Sequence, residues 1–255
     1  MYAGEHVAAE VVYLYDGSLA GLYCCVYESV YEKQMPVDIV AQSAAQPTLF
    51  AQIGIRTDGE RAARVRESIA KKISLRAQEL VETVFLSCLP QKELHILRFL
   101  LFGYKTGKQS AYMLGHPLVD TLFKAERHLQ GEVHLLLGFV RFSDHNGALY
   151  ATITPKNFVL PFMRSHFASR YGGENFMIYD KTHGAALLHE NRRSRIIALE
   201  DVEFAAADET EEMFRALWKR FYDTIAIETR YNSKCRMTHM PKRYWENMIE
   251  MQGEG

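Results

Sequence analysis

Apolar residues fall along this chain in two rhythms. The run Val11-Val-Tyr-Leu-Tyr15 is β-rich and stops at the turn dipeptide Asp16-Gly17, which predicts a strand. Ser18 stands where a helix cap belongs, and Leu19, Leu22, Val26 and Val30 follow at three- to four-residue spacing, predicting a helix with one buried stripe. The stretch from Met35 to Phe50, with Pro36 and Pro47, is expected to connect. Asp58 is placed to cap a long helix through Leu89, with Ala62, Ile69, Ile73, Leu80 and Val84 as its apolar face and Pro90 as its end. Helical segments over 92–103 and 117–131 complete a mainly helical first half.

The rhythm then changes. Gly138-Phe-Val-Arg-Phe142 and Ala148-Leu-Tyr-Ala-Thr-Ile153 read as strands joined through Asn146-Gly147, a strong hairpin signal. A helix over 157–171 intervenes, and 176–179, 185–189 and 195–199 read as three more strands. An acidic stretch, 200–212, leads into a last helix over 211–227 and a basic tail. The pattern predicts an α+β fold: a mainly helical first half, a mostly antiparallel sheet of about five strands, then the C-terminal helix and tail. A single domain over 1–255 is expected, divisible into a mainly helical 1–135 and a sheet-bearing 136–255.

Composition narrows the function classes. Of 255 residues, 48% are hydrophobic and 24% charged, an ordinary globular balance. A net charge of −1 gives no whole-protein field to attract nucleic acid, so any such binding needs a local patch. The four cysteines, Cys24, Cys25, Cys88 and Cys235, show no CxxC spacing, which argues for reduced thiols in a cytoplasm. The N-terminus lacks the basic-then-apolar order of a signal peptide, and the longest apolar stretch, 94–102, contains His95 and Arg98 and is too short for a membrane span. A cytoplasmic protein without membrane contact is expected.

The segment from Arg230 to Trp245 interleaves Arg230, Lys234, Arg236, Lys242 and Arg243 with Tyr231, Tyr244 and Trp245, and Asn232 adds a hydrogen-bonding group. Cations that neutralise phosphate beside rings that stack on bases are the ingredients of a nucleic-acid site. A tail whose rings dock on the core while its cations stay solvated is the alternative. Arg61, Arg64, Lys72 and Arg76 fall on one arc of the long helix, either a second basic face or an ordinary solvated one. His128 and Glu132 share a face on a helix, whereas Glu132 and His134 share one only in a strand. No third ligand completes a metal site, and neither a metal nor a cofactor is expected for this chain.

Asp16, between strand and helix, is either a site carboxylate or a turn residue bonding its own backbone. His166 and Arg170 lie one helical turn apart, and Asp180 ends a strand just before His183, where turn chemistry alone accounts for both. There is no nucleophile elbow, Walker-type glycine loop or HExxH.

Taken in order, Tyr15-Asp-Gly-Ser18, Glu132-Val-His134 with Gly138-Phe-Val-Arg-Phe142, and Met240-Pro-Lys-Arg-Tyr-Trp245 resemble the DUF4130 family across nearly the whole chain. The resemblance implies DNA metabolism or repair in association with a radical-SAM protein and, in some relatives, a fused glycosylase-like domain, for which the chain beyond Trp245 leaves no room. The cysteine triplet that holds a radical-SAM cluster is absent here, which would assign that chemistry to the partner. The family pattern also singles out His166, Asp180, Arg230 and Asn232.

Three functions follow as expectations. In the first, a protein binds damaged or single-stranded DNA through Arg230, Asn232, Lys234, Arg236, Lys242, Arg243, Tyr244 and Trp245, with Arg141 lining the same cleft. In the second, a nucleic-acid-processing enzyme draws acid–base chemistry from Glu132, His134, His166 or Asp180, with Asp16 a further candidate. In the third, an interaction module docks its basic tail on an acidic partner.

Overall fold

A computed structural model of the protein describes residues 7, 8, 10–145, 147–199, 213, 217, 237 and 240–251. It divides into two compact units, 1–129 and 130–255.

In the first unit β1 (Val7–Ala8) precedes β2 (Val11–Tyr15), the first predicted strand. Helix α1 (Leu19–Glu32) follows, capped as its sequence demands by Ser18, whose hydroxyl accepts the Gly21 N–H at 2.9 Å. Leu22 and Val26 of its stripe are buried. The expected connector carries structure: β3 (Gln34–Met35) pairs parallel with β1, and β4 (Asp38–Ala41) pairs parallel with β2. On the other side of β2 lies β5 (Ala51–Gly54), also parallel, giving the order β4-β2-β5. Only Ile39 of β4 is buried and every residue of β5 is exposed, so neither strand carries an alternating pattern.

Asp58 caps the next helix by accepting the Arg61 N–H at 2.9 Å, but the long helix is interrupted. It runs as α2 (Gly59–Ser68), a π-helical turn over Ile69–Ile73, and α3 (Leu75–Phe85). Ser74 adopts extended backbone at the break and caps α3 by accepting the Ala77 N–H at 3.0 Å. The predicted apolar face survives the break. Ala62, Ile69, Ile73, Leu80 and Val84 are all buried, with Ile96, Leu97, Phe99 and Leu100 from α4 (Lys92–Thr106).

Helix α5 (Pro117–Phe139) runs on through Gly131 and Gly138 and takes in residues expected to begin a strand. Leu122, Leu129, Val133 and Leu136 continue one buried stripe along it, and this stripe outweighs the glycines. The strand expected over 138–142 therefore does not form; β6 (Ser143–His145) lies just after it and pairs antiparallel with β7 (Ala148–Ile153). The turn into β7 carries Gly147 at φ +82°, and Asn146 lies outside the described residues.

In the second unit α6 (Leu160–Arg170) connects β7 to its parallel neighbour β8 (Asn175–Asp180). Strands β9 (Ala185–Glu190) and β10 (Arg193–Ala198) add antiparallel hairpins, giving the order β10-β9-β8-β7-β6. Three of the four pairings are antiparallel, and the fold is α+β. Leu160, Met163 and Phe167 form the buried face of α6, which packs over β9 and β10. The C-terminal helix expected over 211–227 lies outside the described residues except Met213 and Leu217, which are helical and exposed. Residues 242–247 form a 3-10 segment against β7.

Among the described residues no helix is long and apolar enough to cross a membrane. Cys24 and Cys25 are buried and Cys88 is exposed, none of them in a disulfide among the described residues, and Cys235 lies outside the described residues.

Candidate functional site

The parallel pair β7–β8 gives the second unit a defined carboxyl edge, where Ile153 and Asp180 lie side by side. Glu132 is buried there at 2% exposure. Its carboxylate accepts the backbone N–H groups of Lys156 (3.0 and 3.1 Å) and Asn157 (2.8 Å), the Asn157 amide (2.6 Å), the Arg243 guanidinium (3.0 Å) and the Tyr244 hydroxyl (2.7 Å). Burial pushes the carboxyl up, but the bonds from Lys156, Tyr244 and Asn157 outweigh it and hold the group below the usual range. Every direction from which a substrate proton would arrive is occupied by a donor, so this carboxylate is an anchor for the C-terminal segment.

That anchoring redefines several residues expected at a nucleic-acid surface. Arg243 spends one guanidinium nitrogen on Glu132 and lies over the Tyr244 ring, while the Tyr244 ring itself is buried. Arg141 is drawn to another buried carboxylate, Glu250, at 2.7 Å, and to the carbonyls of Gly138 and Val140. Trp245 donates its ring N–H to the Met240 carbonyl, and exposed Lys242 sits 5.5 Å above the Trp245 ring. Of this segment Lys242 remains displayed to solvent, while Tyr244 is docked as a structural ring. Arg230, Asn232, Lys234 and Arg236 lie outside the described residues.

The catalytic candidates separate in the same way. Because α5 is helical through Phe139, His134 lies on the opposite face from Glu132 and is exposed; the strand-type pair does not form. His128, also exposed, has its Nδ1 3.9 Å from the Cys88 thiol. His166 projects from the solvent side of α6, against the Phe167 ring. Asp180 is fully buried and accepts the N–H groups of Thr182 (3.0 Å) and His183 (3.2 Å), and its other oxygen lies 2.6 Å from His183 Nδ1. This is the turn chemistry expected there, and it also orients the imidazole, whose ring packs edge-on to Phe158.

In the first unit Asp16 directly follows the central strand of the parallel sheet, at the carboxyl end where α/β sheets place ligands. It accepts from Ser18 N–H (2.9 Å), Ser18 hydroxyl (2.7 Å) and Thr57 hydroxyl (2.7 Å), and the bonds from Ser18 first, then Thr57, hold its carboxyl below the usual range. The basic arc of the interrupted helix is compensated: Arg61 faces Glu28 at 3.6 Å, Arg64 faces Glu60 at 4.0 Å, and Arg76 grips Glu126 with both guanidinium nitrogens.

The sequence reading missed a hollow of about 870 Å³ at the other end of β8. It is lined by Arg164, Ser165 and Ala168 of α6, by Gly172 and Gly173, and by His189, Arg192, Arg193 and Ser194 of the β9–β10 hairpin. None of these lining residues is acidic. Unlike Arg61, Arg76, Arg141 or Arg243, the three arginines make no ion pair among the described residues. The available signal was Asn191-Arg-Arg193 at a predicted turn, two adjacent cations directly after Glu190. Arg164, about 28 residues upstream, joins them only through packing of α6 on the sheet. With β8 six residues long, the Asp180 edge and this hollow are roughly 16 Å apart. Among the described residues no group of three or more His, Cys, Asp or Glu side chains is placed to hold a metal ion.

A family model described as a domain of unknown function, DUF4130, matches residues 90–250. No curated protein and no solved structure matches the chain. The matched span takes in the Glu132 network, the Asp180 edge and the arginine-lined hollow, and leaves out Asp16.

Proposed function

The chain belongs to the DUF4130 family, and from that premise we propose that it is a DNA-binding protein of DNA metabolism or repair that acts with a separate radical-SAM protein. The hollow of Arg164, Arg192 and Arg193 carries the reading. Guanidinium groups match phosphate oxygens in a fork geometry, and three of them with no carboxylate in the lining and no ion pair among the described residues leave local positive charge on a chain whose net charge is −1. Lys242 above the Trp245 ring supplies a further cation and ring on the same unit. The partner assignment follows from the family resemblance; the iron–sulfur chemistry belongs to the partner, since this sequence has no CxxxCxxC run.

Fluorescence anisotropy with a labelled single-stranded oligonucleotide tests the DNA reading. Affinity should fall linearly with the logarithm of salt, and the double substitution Arg164→Gln with Arg193→Gln should weaken binding and flatten that slope. No binding at low salt, or binding indifferent to both substitutions, would reject it. Copurification with a radical-SAM protein bearing the cysteine triplet tests the partnership.

The Asp180–His183 pair favours a second reading, an enzyme acting on a nucleic-acid base or backbone. A buried carboxylate at Nδ1 leaves Nε2 as the ring nitrogen that exchanges a proton with substrate, and the His183 side chain is 28% exposed. Turnover of a damaged oligonucleotide by the protein alone, lost in His183→Gln with the fold intact, would support it.

A further inference from the structure

We infer that the arginine-lined hollow receives the terminal phosphate of a nucleic-acid strand, a phosphomonoester, rather than an internal phosphodiester. The inference deepens the DNA reading and rests on it.

Charge is the first ground. Arg164, Arg192 and Arg193 bring three positive charges to one hollow with no acidic residue in its lining. An internal diester carries one negative charge, whereas a monoester carries between one and a half and two at neutral pH, roughly, and presents three free oxygens. Ser165 adds a hydroxyl donor to the same wall. Shape is the second. The hollow is bounded by α6, the Gly172–Gly173 turn and the β9–β10 hairpin. A strand end, with no sugar on its outer side, can enter such a hollow with all three free phosphate oxygens turned to its walls.

Backbone conformation is the third ground. Glu190 and Arg193 close a two-residue hairpin turn whose central residues, Asn191 and Arg192, have φ +50° and +60°. Asn tolerates this left-handed region and glycine prefers it, but arginine is strained there. The turn thus keeps a strained cation next to a second cation, Arg193, and neither forms an ion pair among the described residues. Such a choice lowers the stability of the free protein and is offset when an anion binds.

The fourth ground is His189. It is 4% exposed, stacks on Phe176 with ring centroids 4.8 Å apart, and has Nδ1 2.7 Å from the Ser194 hydroxyl. Its Nε2 is buried without a hydrogen-bond partner. With the Ser194 hydroxyl donating to Nδ1, the neutral ring carries its proton on Nε2, a donor that nothing on the described protein satisfies. The imidazole lines the hollow, where a bound anion brings an acceptor to its wall.

The test compares one oligonucleotide in three forms, 5′-phosphorylated, 3′-phosphorylated and unphosphorylated, with a nucleoside 5′-monophosphate and inorganic phosphate as competitors. At least one phosphorylated form should bind about tenfold tighter than the unphosphorylated one, and inorganic phosphate should erase that difference. Arg192→Gly should abolish the preference while raising Tm, because glycine relieves the left-handed strain; a folding defect therefore cannot mimic the result. Equal binding of all three forms, reduced together by Arg164→Gln, would overturn the inference and leave the DNA reading standing. A mononucleotide binding as tightly as the phosphorylated strand would overturn it in favour of a small ligand. Failure of every oligonucleotide to bind would remove both.

Discussion

Glu132 shows how far a side chain's role depends on its partners. In the sequence it is one member of a His/Glu constellation; in the fold its two oxygens accept from Lys156, Asn157, Arg243 and Tyr244. Glu132→Gln keeps the shape but turns an NH₂ group toward backbone donors, and should destabilise the protein by about 3–5 kcal/mol in urea unfolding. The pH dependence has a definite sign. Because the folded carboxyl lies below its ordinary range, it contributes stability at pH values above about 4.3, and that contribution is lost as pH falls through the folded value. Acid unfolding of Glu132→Gln should be correspondingly less steep. Tyr244→Phe removes one hydrogen bond to the same charge and should cost about 2 kcal/mol. Exposed His134, by contrast, should tolerate alanine within about 0.5 kcal/mol.

Elements are set by how backbone groups find partners where periodicity fails. Ser74 stops one helix and starts another, and Ser74→Ala should cost about 1 kcal/mol while leaving the buried face intact. Gly21, in the first turns of α1, sits where the helix meets the carboxyl end of β2. A Cβ there would lie 2.3 Å from an Asp16 oxygen, 2.9 Å from the Tyr15 ring and 3.0 Å from the Thr57 hydroxyl. Gly21→Ala should therefore destabilise this unit by about 1–3 kcal/mol, read as a drop in Tm, although alanine is the better helix former.

For the molecule as a whole, the distribution of charge matters more than its sum. Arg61, Arg64, Arg66 and Arg76 all face carboxylates, so these basic residues of the first unit project little net field. The hollow of the second unit lacks that compensation. If it is the DNA contact, removing Arg164 and Arg193 together should reduce the slope of log affinity against log salt by between one and two, as expected at about 0.7 per phosphate on a single strand. A slope unchanged by both substitutions would place the contact elsewhere on the chain.

Features that depend on neighbours a few residues away are legible along the chain. The stripe of α1, the caps at Ser18 and Asp58, the Asn-Gly hairpin and strands β8 to β10 were all legible, because each rests on local spacing or turn chemistry. Strands β4 and β5 were not, since short strands with little or no buried face carry no alternation. Nor was the extent of α5, where a buried stripe overrode two glycines. Tertiary structure alone decided which polar groups are spent and which remain to act. Arg243 meets Glu132 across 111 residues and Arg141 meets Glu250 across 109, while Arg164 reaches the Asn191-Arg-Arg turn only because α6 lies over β9 and β10. Local sequence fixes which face of an element is apolar; whether a cation meets a carboxylate is settled by long-range packing, where pairing and burial are decided together.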